Sequence, residues 1–128
     1  MKAPGVPTWV TAFVSLVGLY CTLIGIIGLI DPTTVPEFVS GADNLGTAWA
    51  GRMSGTGVAM IAAVALRSAA GYVIALAASV FREIGDAIVS ASGTSDGLPV
   101  IVVLIVLGID LAAFAICLRA VVRPAMDH

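Results

Sequence analysis

The stretch Ala69–Ala91, AAGYVIALAASVFREIGDAIVSA, decides how this chain is read. It has the length and apolar background of a helix that crosses a bilayer, yet it contains Arg82, Glu83 and Asp86. A charge at bilayer depth costs roughly 2.5–3.5 kcal/mol on insertion scales, so three together require partners or a wet interior. The rest of the sequence is read outward from that requirement.

Composition supports the bilayer as solvent. Of the 128 residues, 59% are hydrophobic and only 11% charged, and the mean hydropathy is +1.09. A soluble domain has about 45–50% apolar and about 25% charged residues. The expectation is one all-α integral membrane domain of four antiparallel spans, at about residues 8–30, 47–66, 69–92 and 100–122. A net charge of −2 offers no basic footprint, so nucleic acid is excluded as a partner.

Going outward toward the N-terminus, Arg67-Ser68 is a tight connection that makes the second and third helices antiparallel neighbours. The second span opens with Trp49, read as an interface anchor. Its Gly51 and Gly55 put two small residues on one face, where another helix can approach closely. Asp31-Pro32 closes the first span, and the loop to Gly46, with Pro36, Gly41 and Asn44, is rich in turn formers and could fold over the bundle as a lid. The first run, Thr8 to Ile30, exceeds a signal-peptide core and lacks a following A-x-A-like site, so it reads as a span with Trp9 at headgroup level.

Toward the C-terminus, Gly93–Pro99 is a polar loop and the last span is interrupted only by Asp110. Four spans bring both termini to one side. Lys2, Arg67, Arg119 and Arg123 flank that side and Asp31, Glu37, Asp43 and Asp96 the other, so the positive-inside rule places the termini in the cytoplasm of a cell-membrane protein.

Counting residues from each helix end gives depth. Arg52 and Asp86 both fall ~8 Å inside the outer face on adjacent helices, which suggests a pair. Arg82 and Asp110 reach similar depth near the centre, with Glu83 between the layers. The expected site is therefore a cluster of Arg52, Arg82, Glu83, Asp86 and Asp110. Its two positive and three negative charges imply that one carboxyl is protonated or faces a ligand cation. A neutral acid beside an ionised one is a usable acid–base pair.

In that reading Asp110 with Asp86 or Glu83 is catalytic, and Arg52 and Arg82 orient the carboxylates and stabilise a developing oxyanion. Tyr20, Thr22, Ser54, Thr56 and Ser79 could supply hydroxyls, with Tyr20 and Ser79 as the substrate-binding candidates. Hydroxyls in spanning helices often bond their own backbone instead. Cys21 and Cys117 lack metal-ligand spacing and the only histidine is His128, so both are read as plain buried or lipid-facing thiols, too far apart in depth for a disulfide. No motif for a metal or redox cofactor is visible.

Gly28-Leu29-Ile30-Asp31-Pro32 closing the first helix, Ala50-Gly51-Arg52-x-x-Gly55 opening the second and Arg82-Glu83-x-x-Asp86 late in the third resemble the DoxX-like class of small four-helix membrane proteins. Some similar small hydrophobic proteins open epoxides as hydrolases or cyclases. The resemblance implies a ligand pocket between the helices at the charged positions.

The function expected is acid–base catalysis without a cofactor on a lipophilic small molecule: epoxide opening or hydrolysis, cyclisation or isomerisation. The alternatives are a non-catalytic accessory or transport subunit with an intramembrane proton or ligand site, and a structural subunit whose charges pair with another chain. Besides the lipid bilayer, a second copy of the chain is compatible with the sequence as a partner.

Overall fold

The computed structural model describes residues 3–35, 45–91 and 100–126. Among them the chain is all-helical, without strands. Four long helices, α1 (Thr8–Ile30), α2 (Leu45–Ala65), α3 (Ala69–Ala91) and α4 (Val100–Met126), are joined by one 3₁₀ turn at Pro32–Thr34 and one tight turn at residues 66–68. The proposed lid and the polar loop before α4 lie outside the described residues. Helix α4 continues past the expected end at residue 122.

Local chemistry sets the helix ends. Pro32 has no N–H and restricts the residue before it, so Asp31 turns extended while its own N–H still closes α1 on the Ile27 carbonyl at 2.8 Å. The freed Asp31 carboxylate accepts from the Thr33 N–H at 3.1 Å and the Thr33 hydroxyl at 2.6 Å. These two bonds favour the ionised form and hold the Asp31 carboxyl below the usual carboxylate range. Because the folded value is the lower one, the cap is complete above the ordinary carboxylate pKa and is lost as pH falls through the folded value. Amide exchange at Thr33 should therefore quicken only at strongly acid pH, and Asp31→Ala should remove that dependence.

The α2–α3 turn ends in a Schellman pattern. The Ser68 N–H reaches back to the Ala63 carbonyl and the Arg67 N–H to Val64, with Arg67 left-handed at φ 50. Glycine usually fills that position, which is why the sequence gives no warning of this geometry. Ser68 then caps α3, its hydroxyl accepting from the Gly71 N–H at 3.0 Å.

Contacts along the helices run in opposite directions. Gly18 of α1 lies against Met60 of α2, Gly25 against Ser54 and Gly28 against Ala50, so numbers rise on one helix as they fall on the other. Helices α2 and α3 behave alike, with Gly71 against Ala63 near the turn and Asp86 against Arg52 at the far end. Both pairs are antiparallel. At one end the Tyr72 hydroxyl reaches Thr11 and Gly5 lies on Ala120, gathering the start of α1, the turn and the end of α4.

The α1–α2 seam is made of glycine, at positions other than those expected. A Cβ at Gly25 or Gly57 would collide with the backbone of the facing helix, whereas Gly51 and Gly55 face open space. Gly18, Cys21, Gly25 and Gly28 form one buried stripe at helical spacing, and α2 approaches across it. Trp49 is also corrected: it is buried rather than an interface anchor, because Gly28 leaves room for its ring beside Val35.

Two apolar clusters form the core. One joins Val10, Val14, Met60, Tyr72, Leu76, Ala113 and Cys117, and the other Cys21, Val35, Trp49, Ala50 and Met53. Helix α1 and the Val100–Val122 part of α4 are long and apolar enough to cross a membrane, and only 28% and 22% of those windows are buried within the protein. Their outward surfaces are mostly leucine, isoleucine and valine, with Trp9 and Tyr20 on α1.

Candidate functional site

Between the two apolar clusters lies a layer of polar side chains from three helices. Asp110 of α4 is 0% exposed, Arg82 and Glu83 of α3 are 5% and 7% exposed, and Ser79 and Cys21 are buried with them. Each sits on the inward stripe of its helix. Asp110 belongs to the row Val103, Asp110, Ala113 and Cys117, spaced as one helical face. On α3, Tyr72, Leu76, Ser79 and Glu83 recur at three or four residues and make the matching row.

Arg82 organises the layer. One terminal nitrogen, Nη2, donates to Glu83 Oε1, and the other, Nη1, donates to the Cys21 sulfur at 2.9 Å. The guanidinium thus joins α3 to α1. Arg82 also lies within Coulombic reach of the Asp110 carboxyl, and Ser79 stands beside that carboxyl. Even so, Asp110 Oδ1 and Oδ2, Ser79 Oγ and Arg82 Nε have no hydrogen bond of normal geometry among the described residues. Buried polar atoms are almost always paired, so four atoms without such a bond set this layer apart from the apolar clusters.

The expected five-residue cluster is therefore two layers. Arg52 Nη2 and Asp86 Oδ1 do pair across α2 and α3, at 3.5 Å, but the Arg52 side chain is 51% exposed. This pair forms an exposed rim, while the interior centre is built by α1, α3 and α4. Helix α2 supplies no polar side chain to the interior bonds, since Thr56 and Ser54 donate to their own helix at Arg52 O and Ala50 O.

Two hydroxyl candidates on α1 fall away. Tyr20 is 57% exposed on the outer face, because Cys21 and Gly18 take the inward positions and the next residue is rotated away. Thr22 donates to the Gly18 carbonyl at 2.8 Å. Ser79 stays in the site. Cys21 is the member that sequence reasoning missed; its signal was its place in the Gly18–Gly28 stripe, which fixes it on the packed face.

The two layers predict very different costs. Arg52→Gln removes an exposed pair and should lower stability by at most about 1 kcal/mol. Arg82→Gln strands buried Glu83 and should cost about 3–5 kcal/mol. Thermal unfolding of both variants in one detergent checks the contrast, which disappears if the two fall equally.

No family model, curated protein or solved structure matches this chain. The DoxX-like likeness rests on the motifs alone. The interior geometry has to be interpreted chemically.

Proposed function

We propose that this chain is a four-span integral membrane protein that performs acid–base chemistry on a lipophilic small molecule at the interior centre. The observation carrying this reading is the Asp110 carboxyl, fully buried in the apolar run of α4 beside Ser79, with neither oxygen in a hydrogen bond of normal geometry among the described residues. An intramembrane acid of that kind is a functional group before it is a structural one.

The four-span part rests on the outer surface. Phe81, Ile74 and Ile88 of α3 and Val58 of α2 face outward as fully as the leucines of α1, and Ile61 of α2 is also exposed. A water-soluble monomer rarely exposes contiguous apolar patches beyond a few hundred Å², so hydrocarbon is the fitting surroundings for all four helices. Helix α3 contains Arg82, Glu83 and Asp86, and the first two point inward rather than to lipid. With Arg67 and Arg119 at the end gathered by the Tyr72–Thr11 contact, and Lys2 and Arg123 near that end in the sequence, the termini are assigned to the cytoplasm of a cell-membrane protein.

In this reading Asp110 is the proton donor and Glu83, held by Arg82, the acceptor. For an epoxide, water attacks one ring carbon as Glu83 takes its proton. The carbon–oxygen bond breaks, and the leaving oxygen takes the proton of Asp110. In this reading Ser79 Oγ–H and Arg82 Nε–H, neither in a hydrogen bond of normal geometry, donate to that oxygen. Protein in lipid nanodiscs given 1,2-epoxyhexadecane in ¹⁸O-water should release labelled diol. Failure of the wild type to open any such lipophilic epoxide, cyclise its derivatives or isomerise them would overturn the reading.

One observation favours a second reading. Both terminal nitrogens of Arg82 are engaged by Glu83 and Cys21, so Asp110 has no ion-pair bond and can serve as a proton-loading acid in a carrier or accessory subunit. Proton uptake into proteoliposomes reported by entrapped pyranine, lost in Asp110→Asn, distinguishes that role.

A further inference from the structure

We infer that Cys21 is a nucleophile of the interior centre, and that the electrophiles it takes are lipophilic conjugated carbonyl compounds. The inference rests on the acid–base reading above for the proton donor Asp110, the acceptor Glu83 and the oxygen donors Ser79 and Arg82.

The geometry starts from Arg82. Its two terminal nitrogens belong to one planar group, and one binds the Cys21 sulfur while the other binds the Glu83 carboxylate. The sulfur and a base are therefore brought close together on a single buried cation, and their helices, α1 and α3, have no other polar bond at this depth among the described residues. A cysteine in that setting differs from Cys117. The latter is equally buried, but among Ala113, Leu76 and other apolar side chains, and it has no polar partner among the described residues. The second, independent observation is the set of orphaned atoms around it. Asp110, fully buried beside Ser79 with neither oxygen in a hydrogen bond of normal geometry among the described residues, lies within electrostatic reach of the Cys21 thiol, and Ser79 Oγ and Arg82 Nε likewise lack one in the same layer.

These parts match conjugate addition. The Cys21 sulfur forms a bond to the β-carbon of an α,β-unsaturated carbonyl compound, and the thiol proton passes to the Glu83 carboxylate. The carbon–carbon π pair shifts toward the carbonyl, whose oxygen becomes an enol by taking the proton of Asp110. Ser79 Oγ–H and Arg82 Nε–H are the donors left over for that oxygen. No electron leaves or enters the system, so no oxidant is needed. The reverse steps expel the sulfur and return both protons. In between, the former double bond is single and can rotate, so a reversible addition is also a route to cis–trans isomerisation.

Full-length protein in lipid nanodiscs is treated with a lipophilic probe, N-cyclohexylmaleimide, and the peptides containing Cys21 and Cys117 are quantified by mass spectrometry over time. Cys21 should be alkylated at least about tenfold faster than Cys117, since a thiol beside a cation and a base is the reactive one. Glu83→Gln should slow Cys21 several-fold and leave Cys117 unchanged. Because Glu83→Gln or Arg82→Gln can unfold, the wild-type ratio of the two cysteines is an internal reading that needs no variant. Equal rates, or a faster Cys117, overturn the inference. The labelling requires no turnover of an epoxide, so the proposed hydrolysis can fail while Cys21 remains reactive, and the converse result is equally distinguishable.

Discussion

Asp110→Asn is expected to fold and insert like the wild type while losing at least about 100-fold in opening of a lipophilic epoxide, the lower bound for a positioned general acid. The substitution keeps the size and planarity of the group and removes only its capacity to give up a proton. The loss should appear in kcat rather than KM, because the carboxyl acts as the carbon–oxygen bond breaks and contributes little to holding an apolar chain. Ser15→Ala, whose hydroxyl serves only the Thr11 carbonyl, is the neutral control. Full turnover by a folded Asp110→Asn protein would remove Asp110 from the chemistry, and the scaffold role would become the better account.

The second large effect concerns the seam that positions Cys21. Gly25→Val and Gly57→Val each place atoms where the facing backbone already lies, against Ser54 and Ala50 in one case and Thr22 and Gly18 in the other. Such overpacking costs typically about 1–3 kcal/mol and more where backbone must move, and backbone is what must move here. Gly51→Ala and Gly55→Ala face open space and should instead gain roughly 0.5–1 kcal/mol each from helix propensity. Opposite signs for the two pairs of glycines on thermal unfolding would support the register. Equal losses at all four would contradict it. Gly25→Val should also slow Cys21 alkylation, since it pushes α1 away from Arg82.

What the sequence made legible was punctuation and depth. Pro32 stops α1, Arg67-Ser68 turns the chain from α2 into α3, and counting residues inward brought Arg52 opposite Asp86, because such signals are local or follow from helix rise. Rotation about each helix axis was not legible. In α1 nearly every residue is apolar, so hydrophobicity marks no face and Tyr20 looked as well placed as Cys21. The face is chosen by where glycine lets α2 approach, and that depends on two helices at once. The same reason turned Trp49 inward and left Gly51 and Gly55 outside. Asp110 and the Arg82–Glu83 pair stood out because charge in an apolar run is conspicuous. Their partition into an interior centre and a rim pair required the packing of α3 against α4 and α2.

The central claim is that Asp110 sits in the interior beside Ser79 and Arg82, apart from the rim. Its ¹³C-carboxyl resonance in lipid bilayers, assigned by its loss in Asp110→Asn, measures that directly. The account predicts a signal that shifts in Ser79→Ala and in Arg82→Lys and stays in place in Arg52→Gln. A resonance indifferent to Ser79 and Arg82, or one that follows Arg52 instead, would contradict it.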